Sequence, residues 1–212
     1  LANLPEQVYF LNPEKYASYF VRNPDGSLAY LKNVTMNLGG QKASGIDVSL
    51  SYAFPKTALG NFKAQLDGTY LTQFDNQLEP DGPYIPNVGR FGAASNGTTS
   101  SMPIITFRWK HTLTLSWNRG DWGSQLTQNF NTGYHDQNLV AAQYFRDIES
   151  YAVWNWTVSY RGFKNTTISA GITNLLDAKP PVTNHNAYTF GYLSSAASPI
   201  GRAFNARLTY NF

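Results

Sequence analysis

Three histidines, His111, His135 and His185, are the residues of this 212-residue chain best suited to proton transfer or metal binding. None stands at metal-ligand spacing from another histidine, and there is no cysteine to supply a thiolate. His135-Asp136 has the composition of a general-base pair. Neighbours on a strand point to opposite faces, however, so imidazole and carboxylate would diverge. Ser194-Ser195 and Thr98-Thr99-Ser100-Ser101 offer hydroxyls without a nucleophile elbow, and Gly39-Gly40 reads as a turn without a phosphate loop. The expectation is no catalytic residue, no metal and no cofactor. Chemistry of another kind, recognition and passage, must then be sought in the elements that carry these residues.

Charged residues make up 14% of the chain and aromatics 15%. Average soluble proteins carry roughly 25% charged residues, so the chain is charge-poor and aromatic-rich. Mean hydropathy is nevertheless −0.36, and no run of apolar residues is long enough for a membrane helix. A transmembrane β-barrel reconciles the two, because half of each strand faces water. The net charge of +3, with no basic run, gives no reason to expect a nucleic-acid partner.

Period-two alternation recurs along the chain. Phe107, Trp109, His111, Leu113, Leu115 and Trp117 oppose Arg108, Lys110, Thr112, Thr114, Ser116 and Asn118. At ~3.3 Å per residue and a tilt of ~40°, such a strand climbs about 25 Å, the height of the apolar band of an outer-membrane barrel. Phe204, Ala206, Leu208, Tyr210 and Phe212 likewise oppose Asn205, Arg207, Thr209 and Asn211. Antiparallel strands are expected near 44–54, 62–75, 104–118, 122–135, 150–161, 166–176 and 202–212, each beside its sequence neighbour. Residues 1–43 read as mostly loop with a possible strand. The connections near 56–61, 119–121 and 162–165 are short, and those near 75–103, 136–149 and 178–200 are long. Barrels of the outer membrane alternate in this way between periplasmic turns and extracellular loops.

The motifs resemble one family. Gln41-Lys42-Ala43-Ser44-Gly45-Ile46-Asp47 resembles the "GiD" strand of TonB-dependent outer-membrane receptors. Pro103 with Arg108-Trp109-Lys110-His111 is similar to a "PRWKH" strand, with residues 104–107 intervening. Gly171-Ile172-Thr173-Asn174-Leu175-Leu176-Asp177 with Pro180-Pro181 resembles the "NLfD…PP" hairpin. Gly201-Arg202 and Tyr210-Asn211-Phe212 resemble the closing strand. The resemblance implies that residues 1–212 are the C-terminal portion, about seven or eight strands, of an all-β antiparallel barrel of 22 strands. It implies a bacterial outer-membrane location and active uptake of a scarce solute, an iron–siderophore-like chelate by analogy. The implied partners are membrane lipid and lipopolysaccharide, the barrel-assembly machinery, the N-terminal strands and plug that these residues lack, and TonB acting through that plug. A passive porin or small barrel, an outer-membrane enzyme and a soluble β-sandwich are the rival readings.

Trp109, Leu113, Leu115, Trp117, Trp154, Trp156, Val158, Leu208 and Tyr210 are expected to face lipid. The lumen side takes Asp47, Lys63, Asp67, Arg108, Lys110, Asn155, Arg161 and Arg207, whose charges would pair across strands or line a path. Function concentrates on loops held by a rigid scaffold. The ligand-contact candidates are therefore the loop residues Tyr84, Arg90, Phe91, Tyr144, Arg146, His185, Tyr188 and Tyr192 (with Phe145 beside them). Leu208, Tyr210 and Phe212 read as a terminal assembly signal.

Overall fold

The computed structural model describes all residues except 1, 5, 37–38, 78–80, 92–104, 137–141, 184–190 and 195. The first forty residues are more ordered than their lack of periodicity suggested. They hold β1 (Ala2–Asn3), helix α1 (Glu6–Leu11), the hairpin β2 (Phe20–Arg22) and β3 (Leu28–Leu31), and β4 (Thr35–Met36), which pairs back onto β1. Asn23-Pro24-Asp25-Gly26 makes the hairpin turn, with Gly26 at φ 85° and Asp25 accepting from the Ser27 amide at 2.9 Å. Leu4, Tyr9 and Tyr16 form a small buried core, where the Tyr9 ring meets Tyr16 edge-on at 5.1 Å. Aromatic rings gathered from turns and a six-residue helix leave no period in the sequence.

Beyond it run β5 (Gln41–Ala53), β6 (Asn61–Gln77), the short β7 (Tyr84–Pro86) and β8 (Arg90–Phe91), then β9 (Trp109–Arg119), β10 (Trp122–Asn131), β11 (Tyr134–Asp136), β12 (Arg146–Ile148), β13 (Tyr151–Phe163), β14 (Thr166–Thr173) and β15 (Ala203–Tyr210). The seven long strands pair antiparallel in chain order, β5-β6-β9-β10-β13-β14-β15, as expected. Gly120-Asp121 and Lys164-Asn165 are tight two-residue connections, with Gly120 at φ 55° and Asn165 at φ 58° supplying the positive φ such turns need. The sheet does not close on itself, so β5 and β15 each leave an edge.

Register carries the alternation across the sheet. One row runs Tyr52, Ala64, Leu115, Leu126, Trp156, Ile172 and Phe204. The adjacent row on the other face runs Ala53, Lys63, Ser116, Gln125, Thr157, Gly171 and Asn205. One face is therefore apolar over seven strands, and the other is hydroxyl, amide and charge. The apolar face is not a buried core: Leu50 is 61% exposed, Phe204 74% and Leu208 70%. In water a surface of that size would drive association; in a bilayer it is the matched side.

Two expectations are corrected at the upper rim. Phe107 does not begin a membrane-facing strand, because the ladder starts at Trp109 and Phe107 is buried among loop residues. Tyr134, inside the strand expected near 122–135, likewise leaves the long ladder for the short β11. The ladder breaks after Asn131, and at Gly133 the backbone passes so near Ile148 that a Cβ would clash with its carbonyl oxygen. Aromatics belonging to the loop core happened to continue the parity of the strands.

Candidate functional site

The long connections gather at one end of the sheet and pack into a cap. β8 lies parallel to β11, and β11 lies antiparallel to β12. His135 thus stands between Arg90 and Asp147, and Asp136 between Phe91 and Arg146. Beneath this small sheet Phe107, Tyr134, Ile148 and Leu193 form a buried apolar cluster, with Phe107 and Tyr134 edge-on at 5.8 Å. These residues come from all three long connections, so the described parts of those connections pack together.

A polar tie holds that packing. Asp136 is fully buried and accepts the hydroxyl of Thr183, from the loop after β14. The Thr183 amide donates to Gly191 at 2.9 Å, and the His135 amide donates to Gly89 at 2.8 Å. Burial pushes the Tyr134 phenol up to about 12; the neighbouring Asp136 charge adds to this, against a hydrogen bond with Thr183.

The loop after β14 is pinned at its base. Asn174 and Asp177 adopt left-handed backbone, at φ 52° and 54°. The Asn174 side chain bonds Ala178 twice, its Oδ1 accepting from the amide at 2.8 Å and its Nδ2 donating to the carbonyl at 2.9 Å. Asp177 accepts from Lys179 at 3.0 Å and from the Arg202 amide at 2.9 Å, which holds its carboxyl below the usual range. Gly201 permits this approach, since a Cβ there would sit 2.6 Å from the Asp177 carboxylate. The Asn174–Asp177 and Gly201-Arg202 motifs are thus the two sides of one clasp.

Of the loop candidates, Arg90, Phe91 and Arg146 are brought together on the cap sheet, although 56 positions of sequence separate Arg90 from Arg146. Tyr144 is 62% exposed, just before β12. Phe145 meets the His135 ring edge-on at 5.7 Å. Tyr84 stands apart, on β7 beside β6, with the Lys42 ammonium 3.9 Å over its ring. Tyr192 is partly buried, and His185 and Tyr188 lie outside the described residues. Sequence reasoning missed Tyr134, Asp136, Thr183 and Leu193 as cap-forming residues; the approach of residue 136 to residue 183 leaves no local signal. Below the Leu193–Ser198 segment a recess of about 670 Å³ opens against the polar face, lined by Asp67, Lys110, Asn129 and Tyr151.

His111 and His135 have structural partners. His135 Nδ1 lies 2.9 Å from Asp147, and both side chains are solvent-exposed. Its sequence neighbour Asp136 points into the cap, as strand parity requires. His111 accepts at Nδ1 from the Trp109 indole at 2.7 Å, so its proton sits on Nε2 and is donated to Gln128 Oε1 at 3.0 Å. Among the described residues no cluster of His, Asp or Glu could hold a metal ion.

At the opposite end Leu208 and Tyr210 lie on the apolar face, and Phe212 meets Tyr210 edge-on at 5.2 Å. The Asn211 amide still donates to Asn165 at 2.9 Å, so backbone pairing reaches one residue past β15.

No curated protein matches the chain. Two crystal structures do: two mutants of the ferric enterobactin receptor of Pseudomonas aeruginosa. They align with TM-scores of 0.57 and 0.56 at 19% and 20% identity, each over 88% of this chain. The chain covers 24% of each of those receptors. Identity that low speaks for the fold alone, an antiparallel β-sheet like part of those receptors. Residues 14–175, well over half the chain, match the TonB dependent receptor-like, beta-barrel family, and the chain belongs to that family.

Proposed function

We propose that these residues form part of the wall and extracellular cap of an outer-membrane receptor that takes up a scarce solute, of the iron–siderophore chelate class, with energy delivered through TonB. The observation carrying this reading is the family match over residues 14–175, together with the described parts of three long connections packed together above a two-faced sheet. A rigid cap is what ligand recognition by loops requires. Arg90 and Arg146 offer cationic, planar donors to an anionic chelate, and Tyr144 offers exposed aromatic surface. The apolar face meets outer-membrane phospholipid and lipopolysaccharide. The strands and plug that complete the barrel come from sequence outside these residues. Leu208, Tyr210 and Phe212 serve the barrel-assembly machinery.

The test is uptake in cells producing the intact protein, with ferric enterobactin and ferric citrate as probes. Energised uptake of either, abolished by a protonophore and by removal of TonB, is the expected result. Uptake unchanged in de-energised cells would favour a passive pore. Arg90→Ala with Arg146→Ala should weaken binding while surface levels stay normal. Lost surface levels with unchanged affinity would mark the cap sheet as structural only.

A further inference from the structure

The acids of the polar face stand apart from two of its arginines. Asp47 accepts from Thr69 at 2.6 Å, and Asp67 accepts from Ser49 at 2.6 Å and Gln65 at 2.7 Å; these acids stand on β5 and β6. Arg161 and Arg207 stand on β13 and β15, at the far side of the sheet and toward its short-turn end. Arg207 is opposite Ser169, Ser169 is opposite Ser159, and Arg161 is two positions along the same strand. Both arginines line one recess of about 430 Å³ with Asn118, Gln125, Thr157 and Ser169, and no Asp or Glu lines it. Among the described residues neither guanidinium has an ion pair or a hydrogen bond. Asp121 turns instead against Gly162, and its backbone carbonyl accepts from the Arg161 amide at 3.0 Å.

A recess with two guanidinium forks, two amides and a set of hydroxyls is rich in donors and carries net positive charge. Inside a barrel, away from bulk water, such charges interact more strongly than at an open surface. We propose that Arg161 and Arg207 form an anion site low on the lumen wall, taking a carboxylate or phosphate group. This rests on the reading that the polar face lines a lumen. The group has two sources: a soluble anion, or an acidic side chain held in the lumen from sequence outside these 212 residues. Either leaves the barrel fold indifferent to the arginines, because both stand on a wetted wall.

The test uses the intact protein and its Arg161→Gln/Arg207→Gln variant, with an Arg161→Lys/Arg207→Lys pair as the charge-preserving control. Retained β-sheet circular dichroism reports folding. Inorganic phosphate and citrate are the calorimetric probes, and limited proteolysis reports release of lumen-filling chain. A soluble-anion site gives probe binding that weakens about tenfold or more in the Gln pair and is largely retained in the Lys pair. A protein carboxylate gives no probe binding, but about tenfold faster proteolysis of lumen-filling chain in the Gln pair alone. Equal behaviour of all three proteins in both assays overturns the proposal. A cysteine placed at Thr114 separates this from failure of the underlying reading. Labelling from water with no anion effect overturns only the site, and a cysteine that labels only from lipid overturns both.

Discussion

Replacing Thr183 with Val removes one hydroxyl at nearly constant volume. Asp136, which accepts that hydroxyl, is fully buried between loops far apart in sequence. Losing one hydrogen bond to a buried acceptor costs about 1–3 kcal/mol. The barrel strands make no use of this bond, so the cost should fall on cap opening alone, raising the open population about five- to 150-fold. Hydrogen exchange on the intact protein measures this directly. The reporting amides are His135, which donates to Gly89, Thr183, which donates to Gly191, and Gly89, which donates to Thr106. These should exchange faster by that factor, while amides of β9, β10 and β13 keep their protection. Unchanged exchange at the three cap amides would refute the role of the Asp136–Thr183 tie. Uniform acceleration through the strands would refute the separation of cap from wall.

Leu115→Arg places a charge near the middle of the apolar face and should cost about 2–4 kcal/mol in lipid; equilibrium refolding into vesicles reads it, and an unchanged midpoint would remove Leu115 from that face. The Tyr134 phenol, raised to about 12, keeps its proton in the folded cap at a pH where an unfolded tyrosine, near 10, has lost it. The folded cap therefore binds more protons in that interval, and its stability should fall as pH rises above about 10. Tyrosinate absorbance of wild type against Tyr134→Phe, followed beside cap exchange, checks both the titration and its sign. Deleting Phe212 should lower surface levels and leave ligand affinity unchanged, since the residue follows the terminal strand; normal levels with weakened affinity would overturn its assembly role.

The wall was legible because strand chemistry is local. In β9 every second residue declares its face, and the β10 partners of Leu115 and Trp117 follow once the turn at Gly120-Asp121 sets the register. The short connections were legible for the same reason. The cap was not, because its bonds join residue 89 to 135 and residue 136 to 183 through loops without a period. Phe107 and Tyr134 show how this misleads: each continues the parity of the strand beside it, yet each ring serves the cap cluster. The N-terminal unit escaped for a related reason, since Tyr9, Tyr16 and Tyr19 meet by way of turns. The resemblance motifs were visible as strings, but their clasp needed the approach of Asp177 to Gly201.

The central claim is that one sheet face meets lipid and the other meets water. Single cysteines at successive positions 112–117, in the intact protein with any other cysteines removed, test it residue by residue, because this segment contains none of its own. A small, charged thiol reagent should label Thr112→Cys, Thr114→Cys and Ser116→Cys and spare Leu113→Cys, Leu115→Cys and Trp117→Cys, with a lipid-soluble reagent giving the reverse. Labelling without a period of two, or with the two sets exchanged, would contradict the account.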